Sequence, residues 1–595
     1  MQPIATAHIE ERSDWIYEMK YDGFRAVINW TKEGITIQSR NKKSLTENFP
    51  EIISYCKKIE PQISSFLPVQ LDGELVILNH PFQANFSAIQ KRGRLKMKQK
   101  INAAAELRPA TFIAFDLLQI KGKSYRNHPL IERKRLLQTF FNRIDSKWTD
   151  CLQIITTYAS YEKLKQIIFD YKGEGIVAKR RRSKYIAGKT HGNWLKEKNW
   201  RIIYGFLTLY DSDNDYFQVA VYDEEEIISI GKCKHGLEEE VFHSLKQLFQ
   251  TNGEKKATTY ELPPAICVKL HTLDPHEGEL REPEFVNVLP NMSPEECTVE
   301  KLSLDLAMLP DKVDRTNEDK IFWPAPRLTK GDLLTYMREI YPYLIPYVRN
   351  RALTVIRCPD GIHEESFFQK NLPNYAPDYI DLMEEEGKRI QLCNRLESLI
   401  WFANHGALEY HVPFQMIDST FPTEIVFDLD PPTTEKFSLA IKAARLIKQL
   451  LDQLELQSFI KTSGNKGMQI HIPLPHDAVT YNQTAILTEA IAKTVEKEAP
   501  NVFTTERFKK NRGGRLYIDF VQHGKNKTII APYSPRKTEE ATVATPLYWE
   551  EVKETLRPEQ FTIKNVVNRV QTKGCPWLNH FEKARQENRM KTFKI

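Results

Sequence analysis

Lys20-Tyr21-Asp22-Gly23-Phe24-Arg25 is the stretch that most limits what this chain can fold into. A lysine closes the alternating run WIYEMK, an Asp-Gly pair turns the chain, and an arginine opens the alternating run FRAVINW. The pattern predicts two strands joined by a tight turn. Alone, K-x-D-G-x-R reads equally as a hairpin with a solvated lysine. Its companions, in order, are Arg40 in QSRNKK, Asp72-Gly73-Glu74 in LDGELVIL, Phe115-Asp116 in FIAFDLL, Glu174 in EGIVAKR, and Lys196 and Lys198 in WLKEKNW. Helical spacing in LIERKRLLQTFFNRI and YEKLKQIIFDYK makes the first 200 residues a mixture of strands and helices. An amine nucleophile must be deprotonated to attack a phosphate, and nearby cations and desolvation lower a lysine pKa. Lys196 and Lys198, two apart on a strand, share a face. Their charge is expected to favour neutral Lys20 and to offset charge developing on a phosphate.

The chain has 595 residues, 41% hydrophobic and 27% charged, which predicts three or four domains and excludes a disordered chain. No run approaches the roughly 20 apolar residues of a membrane span, and MQPIATAHIEERSDW lacks the basic and apolar regions of a secretory leader. A soluble, cytoplasmic, nucleoid-associated protein is expected. Eight cysteines without a C-x-x-C pair fit reduced thiols rather than a disulfide frame or zinc site. The net charge of +6 is weak evidence by itself, but KRGRLKMKQK, KRRRSK and RFKKNRGGR point together to a polyanionic partner.

From Ile202 to about Val288 short β-runs surround one helical segment, EEEVFHSLKQLFQT, the pattern of a small barrel such as an OB-fold. A poorly periodic stretch with Pro290, Pro294 and Pro310 follows, and its middle reads as a linker. Beyond Thr316 the chain is α/β again. There Asp428 and Asp430 end the strand EIVFDLDPP and, with a period of two, point to one side. Adjacent anions call for a bridging cation, so a divalent-metal site competes with a simple turn at Pro431-Pro432. Asp519 ends GRLYID, and the turn KTSGNKG offers a hydroxyl, lysines and glycines suited to a triphosphate.

The first series resembles the ATP-dependent DNA ligases and their covalent nucleotidyltransferase relatives, over about residues 1–200. The resemblance implies that Lys20 forms a lysyl-AMP, Glu74 holds the ribose, Phe115 stacks on adenine and Arg25 and Arg40 contact ribose or phosphates. Glu174 becomes the metal-side carboxylate and Lys179 a further phosphate contact. The final basic motif of such enzymes has its candidate in Arg281, without the Asp-Lys pair expected after it.

Most of residues 305–595, through RCPDGIHEESFFQK, ALEYH, VFDLDPP, KTSGNKG, GRLYIDF and APYSPR, resembles the primase-polymerase module of bacterial end-joining ligases of the LigD type. That implies two Mg²⁺ or Mn²⁺ ions on Asp428, Asp430 and Asp519. His411, Ser463, Lys466 and Arg536 would contact the incoming nucleotide, and Phe367 and Phe368 would stack on template bases, the alternative being a pair of core aromatics. Asn317, Lys320 and Lys330 would hold a DNA 5′-phosphate. Gln469 stands where the family usually has His, with His471 on the same strand face.

The expected architecture is α/β and α+β multidomain: a nucleotidyltransferase (ATP-grasp-like ligase) domain over 1–200, an OB-fold β-barrel over 201–300, a linker over 301–316 and an archaeo-eukaryotic primase-like polymerase domain over 317–595. No room is expected for a further phosphoesterase module. The expected function is ATP-dependent sealing and 3′-end extension at double-stranded DNA ends, nicks and gaps, with ATP, Mg²⁺ or Mn²⁺, the end-binding protein Ku and no membrane. An RNA ligase or capping-type nucleotidyltransferase shares the lysyl chemistry, but the polymerase half argues against it. A non-catalytic DNA-end tether is opposed by the intact Lys20 and aspartate trio.

Overall fold

The computed structural model describes residues 1–144, 150–276, 278–578 and 580–588. The chain divides into two compact units, Met1–Met308 with Gln571–Gly574, and Leu309–Val570 with Cys575–Ile595.

In the first unit the strand Trp15–Lys20 is paired antiparallel with both Gly175–Arg180 and Thr157–Tyr158. Thr190–Lys198 and Gln2–Ala5 complete this five-stranded sheet. A second sheet runs Leu152–Ile154, Thr111–Ile120, Val69–Val76, Phe24–Trp30 and Ile35–Ser39, with Lys123–Ser124 beside Thr111–Ile120. The alternation in FRAVINW is realised: Ala26, Ile28 and Trp30 are buried in a core they share with Ile52, Cys56 and Ile59 of the helix Pro50–Ile63 and Leu137 and Phe140 of Leu130–Ile144. The five-stranded sheet packs Tyr17, Met19 and Ala178 on Leu164 and Ile168 of the helix Tyr161–Asp170. Cross-strand register sets Lys20, Gly175 and Lys198 in one row. A Cβ at Gly175 would lie 2.1 Å from the Glu197 carbonyl oxygen, so the middle of that row admits no side chain.

Residues 201–289 form a six-stranded antiparallel sheet wrapped beside the helix Glu239–Asn252. Among the described residues the strands Glu226–Cys233 and Glu279–Leu289 share no ladder, and His235, just past the first, bridges to Glu284 of the second. The expected barrel is therefore not closed by continuous pairing. Pro283 at this seam lacks the N–H a ladder needs. The stretch expected to be a linker also differs. Val299–Ala307 is a helix capped by the Thr298 side chain, and it packs Val299, Leu302 and Leu306 on the core of the sheet. In VEKLSLDLA the alternation of Leu302, Leu304 and Leu306 masks the helical spacing of Val299, Leu302 and Leu306.

The second unit holds a six-stranded sheet in the order Phe503–Thr504, Leu516–Asp519, Glu424–Asp430, Met468–Pro473, Phe459–Thr462, Pro546–Leu547. Ile425, Phe427 and Leu429 alternate with Asp428 and Asp430 along its central strand, so one face is apolar and the other carries carboxylates. The helices Phe437–Gln453 and Tyr481–Glu498 pack on this sheet. The first buries Phe437, Ala440, Ile441, Ala444, Ile447 and Leu451, one face of a 3.6-residue period. A four-stranded sheet, Phe367–Gln369, Thr354–Arg357, Ala407–Pro413, Thr528–Ile530, brings His411 opposite Ile530.

Candidate functional sites

A cavity of about 270 Å³ lies between the two sheets of the first unit. One sheet supplies Lys20, Glu18, Lys179, Lys196 and Trp194, and the other supplies Arg25, Glu74, Ile113 and Phe115, with Arg40 at the rim. The sequence-predicted residues Lys20, Arg25, Arg40, Glu74, Phe115, Lys179 and Lys196 are thus brought together. The Lys20 amine donates to Glu174. Burial alone would lower the Lys20 pKa, but the charge and hydrogen bond of Glu174 outweigh it and raise the pKa above the ordinary lysine value. This corrects the expectation that neighbouring cations hold Lys20 neutral: the nearest opposite charge dominates. Lys198 is a second correction. It does not line the cavity; its amine reaches Glu282 at 2.6 Å and Glu284 at 3.7 Å, two carboxylates that outcompete a phosphate-facing position. Lys196 does line it, with a pKa lowered by burial and by Lys20 and Lys198.

Lys179 stands at the aromatic wall, 4.2 Å from the ring centroids of both Phe115 and Trp194, and bonds Glu18 at 2.7 Å. Burial pulls its pKa to about 8. It is not the free phosphate cation that sequence suggested, because Glu18, fully buried and also bonded by Lys134, claims it. Glu18 was missed; its only sequence signal is a carboxylate in the middle of an otherwise apolar strand. Phe115 is fixed by its neighbour, since Asp116 receives a bidentate pair from Arg133 at 2.8 and 2.8 Å. Arg25 forks onto Asp72 at 3.2 and 2.7 Å, and Glu74, its cross-strand partner, is raised to about 8 by burial and by Glu174 and Asp22. Arg281 reaches Asp22 of the K-x-D-G turn, with its guanidinium 4.3 Å from the Phe86 ring centroid.

In the second unit a cavity of about 220 Å³ is lined by His411, Asp428, Asp430, Ser463, Lys466, Gln469, Gln522 and Arg536. Asp428 pairs across the sheet with Asp519. Burial, then Asp519 and Asp430, push the Asp428 pKa up to about 6, and Asp519 is raised by burial and by Asp430. A carboxylate whose pKa is raised by two neighbouring carboxylates carries the electrostatic mark of a site fit for divalent cations. Asp430 is turned onto Lys466 at 2.9 Å and Arg512 at 3.1 Å, and no three carboxylate, imidazole or thiol groups among the described residues converge as a formed metal cage. The turn between the strands Phe459–Thr462 and Met468–Pro473 is closed by Ser463, whose hydroxyl accepts from Gly467 N at 3.1 Å. Gly464 has φ +72°, and a Cβ there would meet Arg536 Cγ at 2.6 Å, so the turn and the arginine share one space. Glu409, which sequence reasoning passed over inside ALEYH, ties this wall together. It bonds His411 at 3.0 Å and Lys537 N at 3.0 Å, and pairs with Arg536 at 3.3 Å.

Asn317, Lys320 and Lys330 lie together: Lys330 N donates to Lys320 O at 2.8 Å and Lys320 N to Asn317 O at 3.2 Å. Lys320 is paired with Asp360. Lys330 is only 4% exposed and bonds Thr316 Oγ1 at 3.3 Å and the Asn404 carbonyl at 3.2 Å. Phe367 and Phe368 are 40% and 76% exposed on an edge strand, so neither is a core aromatic.

Residues 2–198 match the family described as ATP dependent DNA ligase domain, and residues 329–577 match LigD, primase-polymerase domain. The chain is 38% identical over 594 residues to the bifunctional non-homologous end joining protein LigD of Bacillus subtilis, covering 99% of this chain and 97% of that protein. It is 23% identical to the multifunctional non-homologous end joining protein LigD of Pseudomonas aeruginosa, over 96% of this chain and 71% of that one. Among solved structures, the polymerase domain of Mycobacterium tuberculosis Ligase D in complex with DNA is 28% identical, with a TM-score of 0.43 over 47% of this chain and 100% of that chain.

Proposed function

Because the chain belongs to the LigD family of bacterial end-joining proteins, with an ATP-dependent ligase domain and a primase-polymerase domain, we propose how its residues divide the two reactions. In the ligase, neutral Lys20 attacks the α-phosphate of ATP, the α–β bond breaks, and pyrophosphate leaves a lysyl-AMP. AMP then passes to the 5′-phosphate at a DNA nick, and the 3′-hydroxyl expels it as the phosphodiester forms. Phe115 and Trp194 form the base wall, Glu74 takes the ribose, and Arg25, Arg40 and Lys196 face the phosphates. Glu174, the metal-side carboxylate, pairs with the Lys20 ammonium in the free protein, and the amine releases its proton to water as ATP enters. Residues 201–300 act as an OB-fold that presents Arg281 to the K-x-D-G turn.

In the polymerase, Asp428, Asp430 and Asp519 would hold Mg²⁺ or Mn²⁺, which when bound would supply charge neutralisation for the triphosphate and a lowered pKa for the primer 3′-hydroxyl. Ser463, Lys466, His411 and Arg536 seat the incoming nucleotide. Phe367 and Phe368 offer exposed rings to template bases, and Lys320 and Lys330, with Asn317, read a 5′-phosphate. The domain limits proposed are 1–200, 201–300 and 317–595. DNA ends, nicks and gaps are the substrates, Ku is the partner, and the cytoplasm is the location. No helix among the described residues is long and apolar enough to cross a membrane.

The observation that carries this reading is Lys20, at the end of its strand, set in a cavity with aromatic, carboxylate and cationic walls. It is tested on a one-nucleotide gap bearing a 5′-phosphate. Sealing is expected with ATP and nucleotides supplied together, and not with the complementary nucleotide alone. A protein that seals nicked RNA but not nicked DNA would favour the RNA-ligase reading.

A further inference from the structure

Four side chains stand in one row across the sheet of the second unit. Lys461 faces Gln469, Gln469 faces Asp428, and Asp428 faces Asp519, each on the neighbouring strand. Cross-strand partners point to the same face of a sheet, so all four project to the side that carries the carboxylates. Gln469 Nε2 donates to Asp428 Oδ1 at 3.2 Å. Its other end, Oε1, is buried and without a hydrogen-bond partner among the described residues, and so is the amine of Lys461. One is an acceptor and the other a donor, on facing residues of adjacent strands.

We propose that Lys461 is a positioning residue for primer extension: its amine donates to Gln469 Oε1 and so fixes the amide that holds Asp428. A carboxamide is nearly symmetric in shape, and the turned orientation sets its oxygen against the Asp428 carboxylate. A donor on the far side removes that orientation. The other anion near Lys461 is already engaged, since Glu424 binds His471 at 2.7 Å and lies 3.6 Å from Arg351. Burial, with Arg536, draws the Lys461 pKa down to about 7. The relay does not depend on that titration, because ammonium and amine both donate. A buried donor and a buried acceptor left apart each cost free energy, and a hydrogen bond between them removes both costs.

The inference rests on the extension reading above, and the test separates the two. Extension rates of the full-length protein are measured for wild type, Lys461→Met, Gln469→Ala and the double variant, with melting curves for each. Coupled residues are non-additive. Each single change is expected to slow extension roughly tenfold, and the double variant to be no slower than Gln469→Ala alone. Lys461→Gln, which retains a donor, is expected within about twofold of wild type, and it decides the matter if Lys461→Met does not fold. Losses that multiply, a Lys461→Met protein as fast as wild type, or a folded Lys461→Gln protein as slow as Gln469→Ala would overturn the relay while leaving extension intact. A wild-type protein that extends no primer would overturn both readings.

Discussion

Lys20, at the end of Trp15–Lys20, and Glu174, just before Gly175–Arg180, are 154 residues apart in sequence and meet as a partly buried ion pair. No other amine occupies the K-x-D-G turn, so Lys20→Ala is expected to abolish the AMP mass adduct and ATP-driven sealing. An ATP-derived adduct mapped to another lysine would refute the assignment. A second residue-scale expectation concerns stability. His523 is buried against Phe414 and Tyr481, bonds Thr484 at 2.9 Å, and has its pKa lowered to about 4 by burial. The unfolded chain takes up this proton near pH 6.5, while the folded protein resists until about pH 4. Stability is therefore full above the unfolded value, is lost as pH falls between the two, and does not change further below. The amount is about 3 kcal/mol. His523→Gln should flatten that part of the urea-midpoint profile of the second unit between pH 6.5 and 4. An unchanged slope would count against it. Much of the ligase cavity was legible from sequence because strand-borne side chains inherit their direction from period-two geometry. What remained hidden depended on partners distant in sequence: Glu18 claiming Lys179, Glu282 claiming Lys198, and Glu174 reversing the expected pKa shift of Lys20.

At the scale of elements, the edge strand Phe367–Gln369 leaves two rings exposed where a hydrogen-bonded ladder ends. Base–aromatic stacking contributes about 1–3 kcal/mol per base. Phe368→Ala, which removes little from any core, should weaken binding to a primer with a templating overhang by at least fivefold, read by fluorescence anisotropy, with little change on blunt duplex. The segment from Asn317 to Lys330 turns into the helix Lys330–Val348, whose capping box joins Thr329 and Asp332. Lys320→Ala should erase any preference for a 5′-phosphate over a 5′-hydroxyl at a gap, measured as a ratio of affinities. A preference that survives would place the reader elsewhere. The helix Phe437–Gln453 was readable from its period. Val299–Ala307 was not, since its alternating Leu302, Leu304 and Leu306 fit a strand as well as a helix.

For the whole molecule, the residues proposed for each reaction lie within one unit. Asp428→Asn is expected to stop extension while sparing the sealing of a simple nick, which needs no added nucleotide. Both activities should be read on one preparation, with circular dichroism to exclude misfolding. Loss of sealing in a folded Asp428→Asn protein would show that the two reactions are coupled.

The alternation along Glu424–Asp430 carries a consequence for heredity. Because apolar and acidic positions take turns, insertion or deletion of a single codon upstream in that strand would carry Leu429 to the reactive face and Asp428 into the helices' apolar packing. A two-codon change would preserve which face each residue meets. Descendants of this gene should therefore vary freely in the loops around the strand, while inside it length changes of an odd number of residues are purged, since one step of register costs both folding and chemistry.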